Sequence, residues 1–228
     1  MNSFSSLFLQ SSFFCLPKDK VQSASLLDLQ NRLQNHDIDN FHPSRKKEFL
    51  LGRVCASKAY ELYFGSELLT LPTAADRSPV WPKEVIGSIT HNQNWVGAAV
   101  SSSQKLLGIG IDLEVIGRAK LELSRYIRSS KDLLTHQSLN SNELLTLIFS
   151  AKESLYKALY PHVKCFFGFE AAAVTNIDMA KGIFQIVLVK DISPLYGPSG
   201  PNGRFQFEGR FIIVEGNCLT VLEIPIHS

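Results

Sequence analysis

The sequence lacks the signatures of several protein classes. Its hydrophobic runs fall short of the roughly 18 apolar residues that a membrane-spanning helix needs. The four cysteines form no C-x-x-C pair and no regular spacing, which argues against a zinc site or a disulfide framework and favours a reducing compartment. The apolar N-terminus has no positive charge ahead of its apolar stretch, so we interpret it as an early strand or loop and not as a signal peptide. We therefore expect a cytoplasmic protein without a membrane span.

A large excess of charge is also missing. The formal net charge is +2, which is too small to predict a polyanion partner such as nucleic acid, so phosphate binding would have to be local. The chain shows no short tandem repeat and no low-complexity tract. With 228 residues, 45% of them hydrophobic, it is long enough to form a core in one large domain or in two closely packed halves.

Two long helices are predicted by apolar spacing and by residues typical of helix ends. The first covers residues 43–64. The second covers residues 140–160, where Asn140 and Glu143 resemble a capping box. Pro161 is expected to stop this second helix.

Strand-like segments accompany both helices. They fall at 85–89 leading into His91, at 96–101, at 104–115, at 183–190 and at 210–224. Prolines between residues 70 and 82 predict an extended loop, and a turn-rich stretch covers 194–204. This order predicts the α+β class, with two similar halves that meet near residue 106 and that each pair a long helix with several strands.

Residues 108–115 read Gly-Ile-Gly-Ile-Asp-Leu-Glu-Val and alternate strictly. On a strand, Gly110, Asp112 and Glu114 therefore share one face, opposite the apolar side chains. Two carboxylates this close repel each other unless a cation lies between them, and hard oxygen ligands at this spacing suit Mg²⁺. Gly110 would leave room for a ligand to approach. A half-exposed edge strand with a solvated acidic face would show the same pattern.

The second predicted helix carries a charged stripe. Phe149, Glu153 and Lys157 recur every four residues, so they lie one above another, rotated away from the buried apolar stripe. Glu153 and Lys157 then face a cleft or solvent. Glu153 could complete the carboxylate set of the acidic strand, and Lys157 could neutralise phosphate charge or protonate a leaving oxygen. An ordinary Glu–Lys pair, worth about 0.3–0.5 kcal/mol, has the same spacing.

Five segments, taken in order, resemble the motifs of one enzyme family. They are RKKEFLLGR at 45–53, RSPVWP at 77–82, GSITH at 87–91, GIDLE at 110–114 and FSAKESLYK at 149–157. Together they resemble the Sfp-type 4′-phosphopantetheinyl transferases, and especially the subgroup that includes component D of enterobactin synthase. Two positions depart from the family pattern: Thr90 stands where serine is usual, and Phe149 where tryptophan is common. The hydroxyl and the apolar ring are nevertheless kept.

The resemblance implies a pseudo-twofold fold in one compact unit, each half a long helix packed on a small, mainly antiparallel sheet. Residues 1–106 would contact the nucleotide of coenzyme A, and residues 107–228 would carry the metal and catalytic residues. The implied reaction transfers the 4′-phosphopantetheine group of coenzyme A to a serine hydroxyl of an apo carrier protein, or of a carrier domain in a synthase, and releases adenosine 3′,5′-bisphosphate. We expect Mg²⁺ as the cofactor, with Mn²⁺ as the alternative ion, and a monomer.

The resemblance also implies roles for individual residues. Asp112, Glu114 and Glu153 would hold the metal, and Glu153 would also be the candidate base, directly or through water, for the serine hydroxyl. Lys157 would stabilise or protonate the departing nucleotide, with Lys152 as a phosphate-side or structural neighbour. The residues that would contact the rest of coenzyme A are Arg45, Lys46 and Arg53 at the 3′-phosphate end, Arg77 and Pro79 near the adenine, and Thr90 and His91 at a phosphate.

Other interpretations differ in the partner or in the chemistry. The subgroup resemblance favours a peptidyl or aryl carrier in siderophore or other nonribosomal peptide synthesis, but the same chemistry could serve the acyl carrier of fatty-acid or polyketide synthesis. A module that binds coenzyme A without catalysis would be expected to have lost acidic and basic residues that this sequence keeps. A nucleic-acid binder that uses the basic helix is disfavoured by the near-neutral net charge.

Overall fold

A computed structural model describes most of the 228-residue chain. The described residues are 4–20, 42–68, 70–194, 196–198 and 205–226. Part of the predicted turn-rich stretch at 194–204 lies outside them.

A small antiparallel sheet forms the first part of the fold. Its strands are β1 (Ser12–Pro17), β2 (Val85–His91) and β3 (Trp95–Ser102), in the order β1-β3-β2. Each of these pairings is antiparallel. The prediction of an early strand at the apolar N-terminus is therefore confirmed, because β1 pairs along its whole length with β3.

The long helix α1 (Pro43–Phe64) packs on this sheet and has the predicted bounds. A proline suits its first turn, where a backbone N–H has no partner within the helix. At its end Gly65 adopts a left-handed conformation with φ of 70° and donates its N–H to the carbonyl of Glu61, a common helix ending. Leu51 and Cys55 are fully buried against β3, so the helix is held by its apolar face.

A larger antiparallel sheet forms the second part. Its strands are β4 (Leu106–Val115), β5 (Ala172–Asp178), β6 (Ile183–Leu188), β7 (Gln206–Val214) and β8 (Asn217–Pro225), in the order β4-β8-β7-β6-β5. A short helix α2 (Ser124–Ile127) precedes the long helix α3 (Ser141–Val163). Helix α3 packs on β4 and β8. The α+β class with a long helix on each antiparallel sheet is confirmed, although the two sheets differ in size.

Two features of the larger sheet differ from the sequence prediction. The single strand predicted at 210–224 is a hairpin, in which Glu215 and Gly216 turn with φ of 49° and 72°. Two-residue hairpin turns require such positive φ values, but Glu-Gly is a weak sequence signal for them. Strand β5 was missed because its sequence, AAVTNID, combines β-branched residues with Ala, Asn and Asp, which are uncommon in strands.

Pro161 does not stop helix α3, which continues to Val163. A proline lacks the N–H that would bond four residues back, but near a helix end this removes only one hydrogen bond. Lys164 then closes the helix in a left-handed conformation and donates its N–H to the carbonyl of Tyr160. The predicted capping box of Asn140 and Glu143 is confirmed at the other end.

Strand β4 joins the two parts of the fold. One of its edges pairs with β8. Along the other edge, the Ser88 and Thr90 hydroxyls of β2 accept hydrogen bonds from the N–H groups of Ile111 and Leu113, at 3.1 and 3.0 Å. These bonds satisfy edge N–H groups that would otherwise be buried without partners. The strand that carries the acidic motif is therefore fixed on both sides.

Gly110 makes room for helix α3 and not for a ligand, which corrects the sequence interpretation. A Cβ atom at position 110 would lie 1.8 Å from the carbonyl oxygen of Ser154, and one at Gly108 would lie 2.4 Å from that of Ala158. The helix backbone thus rests directly on β4. This close packing sets the distance between the acidic strand and the charged stripe of the helix.

None of the described helices is both long enough and apolar enough to cross a membrane.

Candidate active site

An open cleft of about 520 Å³ lies where the two parts of the fold meet. It is lined by α1, by the loop that follows α1, by β2, by the start of β4 and by the C-terminal end of α3. Of the predicted site residues, the cleft brings together Arg45, Arg53, Arg77, Pro79, His91 and Lys157. These residues come from widely separated segments, so the fold and not the sequence makes them neighbours.

The cleft carries an excess of positive charge. Besides the arginines and Lys157, its lining includes Lys164 and His162, which sequence reasoning missed. Its acidic members are Glu48 and Asp76. A concave surface lined with guanidinium and ammonium groups concentrates phosphate and other anions.

Arg53 lines the cleft and also stabilises the loop that follows α1. It is buried, and its guanidinium donates to the carbonyl of Leu71 at 3.3 Å and to the hydroxyl of Thr73 at 2.9 Å. The guanidinium also lies 4.0 Å from the ring centre of Phe49. Burial, with a smaller effect from Arg45, lowers the pKa of Arg53 to about 10, so it stays charged at neutral pH. Arg53 therefore fixes the base of the loop that forms one wall of the cleft.

Glu48 lies between Lys18 and His91 at the same wall. It accepts from Lys18 at 2.6 Å, and its carboxylate lies 3.8 Å from Nδ1 of His91. Burial lowers the pKa of His91 below its ordinary value, aided by Lys18 and opposed by Glu48. His91 is therefore largely neutral at pH 7 and is able to gain a proton beside an anion. Neither Lys18 nor Glu48 was identified from the sequence as a site residue.

Three carboxylates lie beside the cleft, on strand β4 (Asp112 and Glu114) and on helix α3 (Glu153). Burial and repulsion from Asp112 raise the pKa of Glu114, against the opposing charge of Arg118 at 3.0 Å. Burial also raises the pKa of Glu153, and the neighbouring Asp112 and Glu114 add to the rise while Lys157 opposes it. The carboxylates predicted from the two motifs are thus close enough to perturb one another.

Lys157 connects this acidic cluster with the basic cleft. Its Nζ donates to Oδ1 of Asp112 at 2.7 Å and to the carbonyl of Ile111 at 3.0 Å, while its side chain lines the cleft. The other carboxylate oxygen of Asp112, Oδ2, is buried and has no hydrogen-bond partner among the residues that the structure describes. A buried carboxylate oxygen without a partner is costly unless a cation or donor completes it.

The donor set suits a hard divalent cation, but its geometry alone does not build a cage. A nearby cation would complete the unpartnered Oδ2 of Asp112. It would also lower the raised pKa values of Glu114 and Glu153. Among the described residues, however, no three His, Cys, Asp or Glu side chains converge closely enough to hold a metal by themselves. Mg²⁺ commonly takes one or two carboxylates and completes its shell with water and substrate phosphate.

Lys152 lies on the opposite side of the helix, away from the cleft. Its ammonium is 2% exposed and is bonded to Asp132 at 2.6 Å and to the carbonyls of Ile127 and Phe169. Asp132 in turn accepts from the N–H of Val174 at 2.6 Å. Of the two roles that the sequence left open for Lys152, the geometry favours the structural neighbour. Asp132 was not identified from the sequence because no spacing rule links it to Lys152.

Two further residues predicted to contact coenzyme A are also absent from the lining of the cleft. Thr90 is buried, and its hydroxyl accepts from the N–H of Leu113 and donates to Asp112 at 3.4 Å. Lys46 is half-buried on α1 and does not line the cleft. Thr90 supports the acidic strand from behind.

A smaller aromatic pocket lies next to the acidic cluster. It has a volume of about 230 Å³ and is lined by Lys152, Glu153, Tyr156 and the phenylalanines at 166, 167 and 169. Tyr156 lines both this pocket and the basic cleft. The site therefore offers a charged compartment and an apolar one, with Tyr156 between them.

Comparison with known proteins gives matches along most of the chain. A model described as the 4′-phosphopantetheinyl transferase N-terminal domain matches residues 33–101, and one described as the 4′-phosphopantetheinyl transferase superfamily matches residues 108–197.

Curated relatives agree with these two models. The 4′-phosphopantetheinyl transferase Npt of Nocardia iowensis is 29% identical over 225 residues, which cover 89% of this chain and 95% of the relative. The 4′-phosphopantetheinyl transferase Svp of Streptomyces mobaraensis is 31% identical, with coverage of 80% and 73%. Enterobactin synthase component D of Salmonella austin is 35% identical, with coverage of 64% and 61%.

Proposed function

Because the chain belongs to the 4′-phosphopantetheinyl transferase superfamily, we propose that its basic cleft binds coenzyme A and that the adjoining acidic cluster is where the phosphopantetheine group is transferred to a carrier protein. The observation that carries this proposal is the position of Lys157. Its side chain lines the phosphate-binding cleft while its Nζ is bonded to Asp112. Lys157 therefore connects the basic cleft, which would bind phosphate, with the acidic cluster, where the transfer would take place.

The charges of the cleft match the nucleotide end of coenzyme A. Arg45, Arg53, Arg77 and His91 line it, and arginine binds phosphate oxygens in a bidentate fashion. The pKa of His91 is lowered below its ordinary value. A neighbouring phosphate would raise this pKa and favour the protonated, positively charged imidazole. Lys46 and Thr90, which do not line the cleft, would act indirectly, as supports of α1 and of the acidic strand.

The proposed reaction displaces one phosphate oxygen by another. The serine Oγ of the carrier attacks the phosphorus that bears the pantetheine arm, and a new phosphorus–oxygen bond forms. The bond from that phosphorus to the bridging oxygen breaks, and adenosine 3′,5′-bisphosphate leaves with the electron pair. Glu153 accepts the serine proton, directly or through a water molecule. Lys157 donates to the departing oxygen.

Asp112, Glu114 and Glu153 are the residues that would hold Mg²⁺, with Mn²⁺ as the alternative ion. The unpartnered Oδ2 of Asp112 supports this assignment. A bound divalent cation would neutralise charge on the pyrophosphate oxygens. Because these side chains alone do not form a cage, the substrate phosphates would complete the coordination.

The aromatic pocket suits the uncharged arm of the substrate. The arm continues from the pyrophosphate as a chain of amides and methylene groups, which an apolar pocket with few polar groups can take up. Tyr156 lies on the border of both compartments and Glu153 lines the aromatic one. This arrangement would place the reacting phosphate between Lys157 and Glu153.

The partner is an apo carrier protein or a carrier domain of a synthase. The similarity to enterobactin synthase component D supports a peptidyl or aryl carrier in siderophore or nonribosomal peptide synthesis. The cysteines at positions 15, 55, 165 and 218 are free thiols, which supports a reducing compartment such as the cytoplasm. The predictions of a monomer and of the functional division at residue 106 stay predictions.

A direct assay tests this proposal. Purified apo carriers of the peptidyl, aryl and acyl types are each incubated with coenzyme A and Mg²⁺, and the mass gain of one phosphopantetheine group is followed by mass spectrometry. We expect the wild-type chain to modify at least one type, with the peptidyl or aryl carriers fastest. Equal rates on all three types would remove the preference for nonribosomal synthesis.

The variant Glu153→Gln tests the site itself. We expect it to abolish transfer while most of the affinity for coenzyme A is kept, because the cleft that binds the nucleotide is intact. Glu208→Gln is a matched control, since Glu208 is exposed on β7 and far along the sheet from the cleft. Full activity of Glu153→Gln would contradict the proposed site.

A further inference from the structure

The loop that follows α1 folds into a small hairpin-like arch at the mouth of the cleft. The N–H of Ala74 bonds to the carbonyl of Ser78, and the N–H of Val80 to that of Pro72, both at 2.8 Å. At its tip Arg77 has a φ of 68°. Non-glycine residues rarely adopt this left-handed conformation, which is strained unless surrounding contacts support it.

The arch is held at both of its ends. At the base, the buried Arg53 bonds to Leu71 and Thr73. At the tip, the carboxylate of Asp76 accepts from the hydroxyl of Tyr160 on helix α3 at 2.9 Å. The second bond crosses from the first part of the fold to the second. Both Asp76 and Tyr160 line the cleft.

An aspartate is an unexpected residue in a cleft that binds anions, since its charge repels phosphate. The carboxylate oxygens of Asp76 accept several hydrogen bonds. Besides the bond from Tyr160, they accept from the N–H and the hydroxyl of Ser78. These bonds, those of Ser78 first, and the nearby Lys164 lower the pKa of Asp76 to about 2. The carboxylate is therefore ionised throughout the neutral range and is occupied in holding the arch.

We propose that Asp76 and Tyr160 form a clasp that ties the arch to helix α3 and thereby fixes Arg77 in the cleft before coenzyme A binds. This inference rests on the proposed function, and it makes Asp76 a positioning residue for coenzyme affinity. A loop that is ordered in advance loses less conformational freedom when its ligand arrives. The clasp acts on binding and not on the transfer step, because Asp76 and Tyr160 do not belong to the acidic cluster.

The clasp does not respond to pH in the range of ordinary assays. A carboxyl group whose pKa is lowered in the folded state keeps its contribution above its unfolded pKa, and loses it only as the pH falls through the folded value. For Asp76 that folded value is about 2, below its ordinary 3.8. The affinity for coenzyme A should therefore gain no pH dependence from this residue.

A double-mutant cycle tests the clasp. The variants are Tyr160→Phe, Asp76→Ala and the double variant, and the measurements are KM and kcat for coenzyme A, with the Kd of adenosine 3′,5′-bisphosphate by calorimetry. We expect Tyr160→Phe alone to raise KM and Kd roughly three- to tenfold, which corresponds to the net contribution of one typical hydrogen bond at an exposed position. In the Asp76→Ala background the same change should have no further effect, and kcat should stay unchanged. Comparing the effect of Tyr160→Phe in two backgrounds removes the direct charge effect of Asp76.

Several outcomes would overturn the clasp. They are an unchanged KM in Tyr160→Phe, an equal rise in both backgrounds, which would mean that Tyr160 contacts the ligand directly, or a lower kcat at unchanged KM. Tyr60→Phe is the matched control, since Tyr60 lies on α1 against the small sheet and outside the cleft. It should behave as wild type. A wild-type chain that binds the nucleotide but transfers nothing would refute the proposed function, while the Kd cycle would still decide on the clasp.

Discussion

Two lysine–aspartate pairs on helix α3 have opposite characters. Lys152 and Asp132 lie 2.6 Å apart with side chains 2% and 0% exposed, and Asp132 also accepts from two backbone N–H groups. Lys157 and Asp112 lie 2.7 Å apart with side chains 26% and 8% exposed, and within the described part of the chain Oδ2 of Asp112 is buried without a partner. The first pair is complete, whereas the second leaves a carboxylate oxygen unsatisfied.

One short motif, which contains both lysines, thus serves both stability and chemistry. The two lysines are five positions apart, so a helix directs them to different sides. The ammonium of Lys152 is bonded to the carbonyls of Ile127 and Phe169, and its side chain is almost fully buried where it borders the aromatic pocket. Lys157 opens to the cleft. An ion pair whose partners are all protein groups is a structural one, and a pair with an unused oxygen beside a cleft is a candidate for ligand binding.

Breaking the pair of Lys152 and Asp132 should have the largest effect, which is a loss of stability. We expect Asp132→Asn to lower the free energy of unfolding by about 3–5 kcal/mol, because it leaves a buried ammonium without its counter-charge and puts an amide N–H₂ against other donors. Urea unfolding followed by circular dichroism measures this. An unfolding free energy equal to that of wild type would show that the pair is not structural, whereas Asp178→Asn, at an exposed turn pair, is the control expected to change little.

Breaking the open pair should affect activity and spare the fold. We expect Asp112→Asn to reduce kcat/KM roughly 10²- to 10³-fold, about 2.7–4 kcal/mol in the transition state, which is typical for losing one preorganised electrostatic group. Its unfolding free energy should stay within about 1 kcal/mol of wild type, because the carbonyl of Ile111 still accepts from Lys157. Carrier modification and urea unfolding of the same preparation give both values. A stability loss as large as that of Asp132→Asn would erase the distinction between the pairs.

Adding Mg²⁺ should have a smaller effect on the unfolding free energy. Mg²⁺ at ten times its Kd should raise the unfolding free energy of wild type by about 1.4 kcal/mol, because it binds the folded state alone. Asp112→Asn and Glu153→Gln should lose this gain, since both are proposed ligands, and Asp178→Asn should keep it. Thermal unfolding with and without Mg²⁺ provides the measurement. A full gain in Asp112→Asn would place the ion elsewhere.

Local signals allowed much of the fold to be predicted. Helix α1 has the predicted bounds because its ends carry a proline and a glycine whose backbone preferences suit them. The Glu215–Gly216 turn and strand β5 escaped prediction, because their side chains are atypical for the conformations that long-range pairing imposes on them. Gly110 was correctly placed on one face with Asp112, but the neighbour on that face is the α3 backbone, which only the tertiary structure reveals.

The candidate site was predictable to the extent that it resides in motifs. Asp112, Glu153 and Lys157 come together as their spacing and family resemblance indicated. The partners that decide their roles could not be found in the same way: Asp132, which encloses Lys152, and Tyr160, which holds the arch, are linked to them only through space. The hydroxyl of Thr90 likewise accepts a hydrogen bond from the N–H of Leu113, a partner that the sequence does not reveal.

The pairing of β4 with β8 also has a consequence for how the protein is made. Asp112 lies opposite Thr220 in this pair, so the acidic strand finds its sheet partner only when a distant stretch of the chain has been synthesised. While the ribosome is still at work, every motif from the basic helix to Lys157 has already emerged, yet β4 lacks the neighbour that fixes it. Long-range strand pairings of this kind form late and slowly. A nascent chain cut short before β8 would display all five motifs and no working site.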